Sequence, residues 1–358
     1  MLGTNHVVAV HSVNGVALYE FGPRDMSELV WSRELRNVSS VALTLPPLLT
    51  PSGHPPDIVP WLHWVTVWDT DTGTALWSGP IQKVSATHSQ TRIQAKDCAA
   101  FMARTRTPLT KKWENVDPSV PAAEMWRSLI ALHRLKTPLI VRADPQGSRY
   151  DYSLTAGSNM MDSPISDLTG LGLRWTVVAG VVILGPAPRE TVAELGENDF
   201  VGESLELTRD GSRMFNDVLL RAPDSETRAH VDMFGLNLQT IIQVDSMFGV
   251  SNADHAVAQY VRYFSKVRDA VGQPGGAVLH PDAPLAWDQM IPSARFSVST
   301  FGLRTKTELE SVTVTLNASH AEVAVRLESV TDIPDLPELA VLATGGTKAG
   351  ASQPGVDR

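Results

Sequence analysis

The sequence predicts a β-rich α+β protein, and three observations carry that reading. Apolar and polar residues alternate through most of the first hundred positions, which is the period of half-buried strands. Two stretches, 121–135 and 252–267, switch to apolar spacings of three and four, the period of helices. After residue 200 the β-branched runs resume. With 358 residues the chain has room for two or three domains, and its 43% hydrophobic and 19% charged content is that of an ordinary soluble globular protein.

Residues 6–10, 16–21, 38–45, 61–68, 74–86 and 91–95 read as strands of a compact antiparallel unit. Asn14-Gly15, Gly22-Pro23 and Asp71-Thr72-Gly73 supply turns between them. Between two of these strands lies LPPLLTPSGHPPDIVP, residues 45–60, whose prolines withhold ladder donors and mark a protruding loop. Asp97 is placed to cap a short helix that runs to Arg104. After a proline-containing stretch at 108–118, residues 121–135 form an amphipathic helix, with Met125, Trp126, Leu129, Ile130, Leu132 and Leu135 on the docking stripe.

Residues 138–185 read as a smaller α+β unit. It holds a strand at 139–143, a polar loop, a helix carrying Met161, Ile165 and Leu168, and a hairpin of 175–178 and 181–184 turning on Ala179-Gly180. Beyond residue 200, SLELTRD, FNDVLLRAP and LQTIIQVD are strands, and Ser251 to Asp254 has the spacing of a capping box ahead of the helix 252–267. ARFSVST precedes a final hairpin of SVTVTLN and AEVAVRLE, in which Val312, Val314 and Leu316 and then Val323, Val325 and Leu327 each line one face. The run from Thr344, GGTKAGASQPGVDR, lacks the apolar content to fold and is expected to be flexible.

The net charge of −9, with no basic stripe, argues against a nucleic-acid binder that neutralises phosphates. The single cysteine, Cys98, can form no internal disulfide and reads as a small buried residue. No apolar run is long enough to span a membrane, and no signal peptide is recognisable.

The most suggestive letters are Val-Thr-Val-Trp-Asp-Thr-Asp-Thr-Gly-Thr-Ala-Leu-Trp, within residues 65–84. Asp71-Thr72-Gly73 is the tripeptide of an aspartic protease, but that chemistry needs two carboxylates sharing a proton, and the chain has no second copy; Asp210-Gly211-Ser212 differs. Asp69 and Asp71 open like a calcium loop, yet position five is Gly73 and position twelve is Pro80, where a bidentate acid belongs. The remaining reading is a turn between Trp-bearing strands, with Asp71 shaping it. His54, His63 and His230, the last near Asp232, lack metal-helix spacing. Gly180 and Gly185 have the spacing of a phosphate loop, but Pro186 stands where lysine would. Trp61, Trp64, Trp68 and Trp77 are read as packing residues of one sheet rather than a sugar platform. The residues therefore nominate no catalytic, cofactor-binding or metal site, and no cofactor.

The order of elements resembles the hub-type minor tail proteins of long-tailed bacteriophages, over roughly residues 5–330. Trp77-Ser78-Gly79-Pro80-Ile81 after an acidic turn is similar to that family's Trp-x-Gly-x-Ile hairpin, and the Asp97 helix follows it. The helix and hairpin of 158–185, the strand Phe215-Asn216-Asp217-Val218-Leu219-Leu220, the helix 252–267 and Met290-Ile291-Pro292 complete the order. Ser293 stands where the family often has glycine, and the long C-terminal domain of larger relatives is missing, which argues against enzyme activity.

The resemblance implies tail-tube-like antiparallel β-barrel or sandwich units with a small inserted α+β domain. The corresponding division is 1–107, a connector 108–137, an outer unit 138–199, a second β-rich unit 200–335 and a tail 336–358. It further implies a virion protein of the distal tail tip, a homotrimeric hub organising the baseplate for host attachment. Its partners would be the distal tail adaptor, the tape-measure and other tip proteins, with DNA passing unbound during genome ejection. A hexameric distal tail adaptor is the alternative within the same tail, a hydrolase using Asp71 or acting on cell wall the competing class, and a carbohydrate-binding tail module the third.

Overall fold

A computed structural model describes residues 5–48, 56–142, 149–185, 190–201, 205–212, 214–222, 225–243, 250–271, 277–300, 302–317 and 320–330. The fold is α+β and dominated by strands. One large sheet joins the two ends of the chain. Its order is Leu207–Asp210, Arg268–Val271, Ala321–Ser329, Leu303–Asn317, Glu28–Glu34, Ser40–Leu45, Thr91–Lys96, Thr74–Ala86, His63–Asp69, His6–Ser12 and Ala17–Phe21. The seam lies between Leu303–Asn317 and Glu28–Glu34, which pair antiparallel from Ser311 opposite Glu34 to Asn317 opposite Glu28. Arg295–Thr300 adds to Leu303–Asn317, and Thr191–Gly196 runs parallel to it. Among the described strands this path has two open ends and does not close into a barrel. Its halves instead face one core, in which Val8, Val65 and Trp77 pack with Trp31, Leu43, Phe296 and Val312.

A second core gathers the middle of the chain. It contains Cys98, Met102, Trp113, Met125, Trp126, Ile165, Val177, Val218 and Val257. The helix Ser119–His133 starts two residues before the expected point, because the Asp117 carboxylate accepts from Ser119 N at 2.8 Å. It stops where Arg134 turns left-handed at φ 53° and Leu135 N bonds back to Ile130 O. The Asp97 segment is a 3-10 helix, Cys98–Arg104, capped as expected by the Asp97 side chain on Ala99 N. The helix Val250–Phe264 begins before Ser251, and Asp254 accepts from the Thr227 hydroxyl. The two cores are stitched by Arg36 N to Trp175 O at 2.8 Å, Thr176 Oγ1 to Glu34 O at 2.8 Å and the Arg174–Glu308 pair at 2.8 Å.

Several strands stand where the sequence pattern shows none. Glu28–Glu34 lies mid-sheet, and Lys111–Val116 pairs with Tyr150–Leu154 where a proline stretch and a polar loop were expected. Thr191–Gly196 and Ser225–His230 are also strands. Glu28–Glu34, Lys111–Val116 with Tyr150–Leu154, and Ser225–His230 bury aromatic or polar residues such as Trp31, Arg33, Trp113, Tyr152 and Thr227, and Thr191–Gly196 buries Leu195 alone, so none shows a clean aliphatic alternation. The final hairpin forms as read, but its first strand reaches back to Leu303. Most of the tip of the proline-rich loop, residues 49–55, and the segment 331–358 lie outside the described residues.

Candidate functional site at the corner hairpin

The hairpin of 65–84 is the corner of the large sheet. Its second strand, Thr74–Ala86, pairs with His63–Asp69 as far as Pro80 and with Thr91–Lys96 from Ile81, so one continuous strand serves both halves of the core. A strand that changes partners must bend, and the register shift between Ile81 and Lys83 provides the irregularity. The bend brings Gly79 onto the end of the neighbouring strand. A Cβ there would stand 2.1 Å from Lys96 O and 2.6 Å from Asp97 Cα, so glycine alone fits. Trp-Ser-Gly-Pro-Ile is thus a packing and corner signature.

The acidic turn is built by Asp69, which corrects the role expected of Asp71. Asp69 is buried; its carboxylate accepts from Asp71 N at 3.2 Å and Thr72 Oγ1 at 2.7 Å, while Gly73 N reaches Asp69 O at 2.8 Å. Gly73 takes φ 66°, the left-handed value that a side chain would strain. Asp71 is exposed and contributes a backbone N–H. No cluster of three or more His, Cys, Asp or Glu suits a metal among the described residues.

The other nominated residues are dispersed. His63 accepts from Val59 N at 2.9 Å, His230 sits opposite Asp217 on a paired strand, and His54 lies outside the described residues. Cys98 is fully buried, and burial together with the Asp97 charge pushes its thiol well above the ordinary value, so it is a poor nucleophile. Gly180 and Gly185 flank a strand, and Gly185 presses against Arg142 O. The four tryptophans do not share one environment: Trp77 fills the first core, Trp64 the second, Trp61 packs on Phe101 at 5.0 Å, and Trp68 is exposed.

Sequence reasoning missed the most unusual charged residue. Arg33 is buried, and its guanidinium donates to Leu76 O at 2.9 Å and to Trp287 O and Met290 O at 2.9 Å each. Its guanidinium carbon lies 5.3 Å from the centre of the Trp31 ring, and Trp31 packs on Trp287 at 5.3 Å. Burial lowers its pKa to about 10, so it remains charged at neutral pH. One side chain thereby binds the corner hairpin to the segment preceding the last strands, 254 residues away in sequence. Nearby, Asp97 accepts from Ser39 N at 2.7 Å and Ala99 N at 2.8 Å, yet burial outweighs these donors and raises its pKa to about 7. No motif marks Arg33; a lone arginine in an aromatic strand looks like a surface residue.

These are anchors for a rigid scaffold, and the comparisons agree in kind. The tail protein from Neisseria meningitidis MC58 superposes with a TM-score of 0.62 at 15% identity, covering 90% of this chain and 96% of that one. The fold is that of a phage tail protein. The 43 kDa tail protein of prophage MuSo2 from Shewanella oneidensis superposes at 0.59 with 13% identity over 90% and 97%, and prophage tail protein gp18 from Listeria monocytogenes at 0.57 with 9% identity over 92% and 96%. No protein-family model and no curated protein matches the sequence. In this tail-protein fold Ser293 takes φ 80°, a backbone value natural to glycine.

Proposed function

We propose that the chain is a non-enzymatic structural protein of a phage tail, the hub at the distal end of the tail tube. The observation that carries this reading is the likeness to three tail proteins over nine-tenths of this chain and nearly all of each of theirs. The architecture fits it. The first and last described strands share one sheet, whose order ends on Ala17–Phe21 at one side and Leu207–Asp210 at the other, as a ring built edge to edge requires. In this reading three copies surround the tail axis, residues 138–199 lie on the outside, and the proline-rich loop 46–60 reaches a neighbouring copy. The adaptor and tape-measure proteins meet the ring, and the net negative charge lets DNA slide through without adhering.

Copy number in the assembled particle tests this. Quantitative mass spectrometry of purified tails, or their axial density, is expected to give three copies at the tip. Six copies would make the chain the distal adaptor instead, and absence from the tail would overturn both.

A further inference from the structure

The charge of this acidic chain is unevenly placed. Two stretches, 98–113 and 125–142, hold eight of its 30 Lys and Arg and none of its 39 Asp and Glu. The fold joins them where Thr105 Oγ1 and His133 Nε2 lie 2.7 Å apart and the Phe101 and His133 rings pack at 4.7 Å. Arg104 and Arg106 flank that contact on one segment, and Arg134 and Lys136 follow it on the other. No more than three residues, or roughly 11 Å of chain, separates any of the four from it. All four are exposed, and none forms an ion pair among the described residues.

Apolar side chains stand among these cations. From 132 to 140 every second residue is exposed, and the exposed ones are Leu132, Arg134, Lys136, Pro138 and Ile140. Leu132 is 64% exposed and Ile140 42%. Met160, which bridges to Arg106 across the backbone, is 38% exposed. The acid closest to Met160 in sequence is Asp162, whose carboxylate accepts from Ser163 N at 3.0 Å. The C-terminus of the helix Ser119–His133 favours nearby cations through its unpaired carbonyls, which accounts for Arg134 and Lys136. It gives no reason to leave Leu132 in water.

We propose that this ridge lies on an anionic lipid surface, its cations against the phosphates and Leu132, Ile140 and Met160 at the acyl boundary. Long basic side chains beside exposed aliphatic ones suit that surface, since the cations reach headgroups while the apolar tips leave water. A nucleic acid would use the cations alone, and its single strands stack on aromatic rings, whereas the exposed side chains here are aliphatic. The net charge of −9 does not oppose the contact, because at physiological salt charges beyond about 8 Å are largely screened. Each cation held at an anionic leaflet strengthens binding about fivefold. The proposal goes beyond the hub reading and does not rest on it, because the isolated chain carries the whole ridge.

Flotation of the purified full chain with vesicles tests it. Binding is expected to vesicles of two parts phosphatidylcholine to one part phosphatidylglycerol. It should fall at least about tenfold on phosphatidylcholine alone, or in 1 M salt, where the screening length is about 3 Å. Arg106→Gln with Lys136→Gln removes two exposed cations and should weaken binding about twentyfold, and Leu132→Ser should weaken it about fivefold. No binding to the mixed vesicles, equal binding to both kinds, or undiminished binding by either variant with native circular dichroism would overturn the proposal. Duplex DNA of equal phosphate content binding as tightly as the mixed vesicles would overturn it too, and would assign the ridge to nucleic acid. Copy number in the tail is a separate readout, so this contact and the hub reading can fail independently.

Discussion

Two turns of this molecule invert what their letters suggest. Asp69 to Gly73 spells protease and calcium motifs, yet its buried carboxylate serves the turn itself: Asp69 takes Asp71 N and Thr72 Oγ1, Gly73 supplies the left-handed backbone, and Thr70 ties the turn to Asn5 O. Met233 to Leu236 spells nothing, yet it holds Phe234 strained and fully exposed. The first turn is locally consistent and therefore structural. The second breaks a local rule without a local gain, which is where function concentrates.

The largest effect expected from breaking this contrast is at the corner. Gly79→Ala puts a methyl group into the Lys96 carbonyl and should cost more than about 3 kcal/mol, abolishing cooperative thermal unfolding or soluble expression. The acid beside it gives the next. Because burial raises Asp97 above its unfolded value, its stabilising contribution is complete below the unfolded value of 3.8 and is lost as pH rises through about 7. The unfolding free energy from urea titrations should fall between pH 4 and pH 8 by an amount on the order of 2–4 kcal/mol from this group, and Asp97→Asn should flatten that slope. Asp69→Ala should follow at about 1–3 kcal/mol, since it leaves donors of the acidic turn without acceptors. Phe234→Asn should move the other way, raising stability by about 1 kcal/mol, because asparagine tolerates the backbone that phenylalanine resists. A stability loss there would dissolve the contrast between the turns.

The large sheet was legible in the sequence wherever one face of a strand is wet. Leu303–Asn317 with Ala321–Ser329 alternates cleanly and pairs as its pattern demands. Glu28–Glu34 was not legible because it is buried nearly throughout, with Arg33 inside holding carbonyls instead of a carboxylate. Its seam with Leu303–Asn317 joins residues almost three hundred positions apart, and no local period encodes such a partner. The acidic turn is legible as a turn but its builder is not: Asp69 and Asp71 are each followed by threonine one and three residues on, and burial is what sets Asp69 apart. Phe234 escaped notice because exposure and backbone sign are invisible in a single sequence.

In the proposed function the corner hairpin supports an assembly and performs no reaction. Asp71→Asn tests it most directly, by measuring thermal unfolding of the purified chain beside infectivity of particles carrying it. A stability change within about 0.5 kcal/mol and wild-type infectivity are expected. A variant that folds and enters the tail normally yet leaves the particles inactive would contradict it, and would return Asp71 to catalysis.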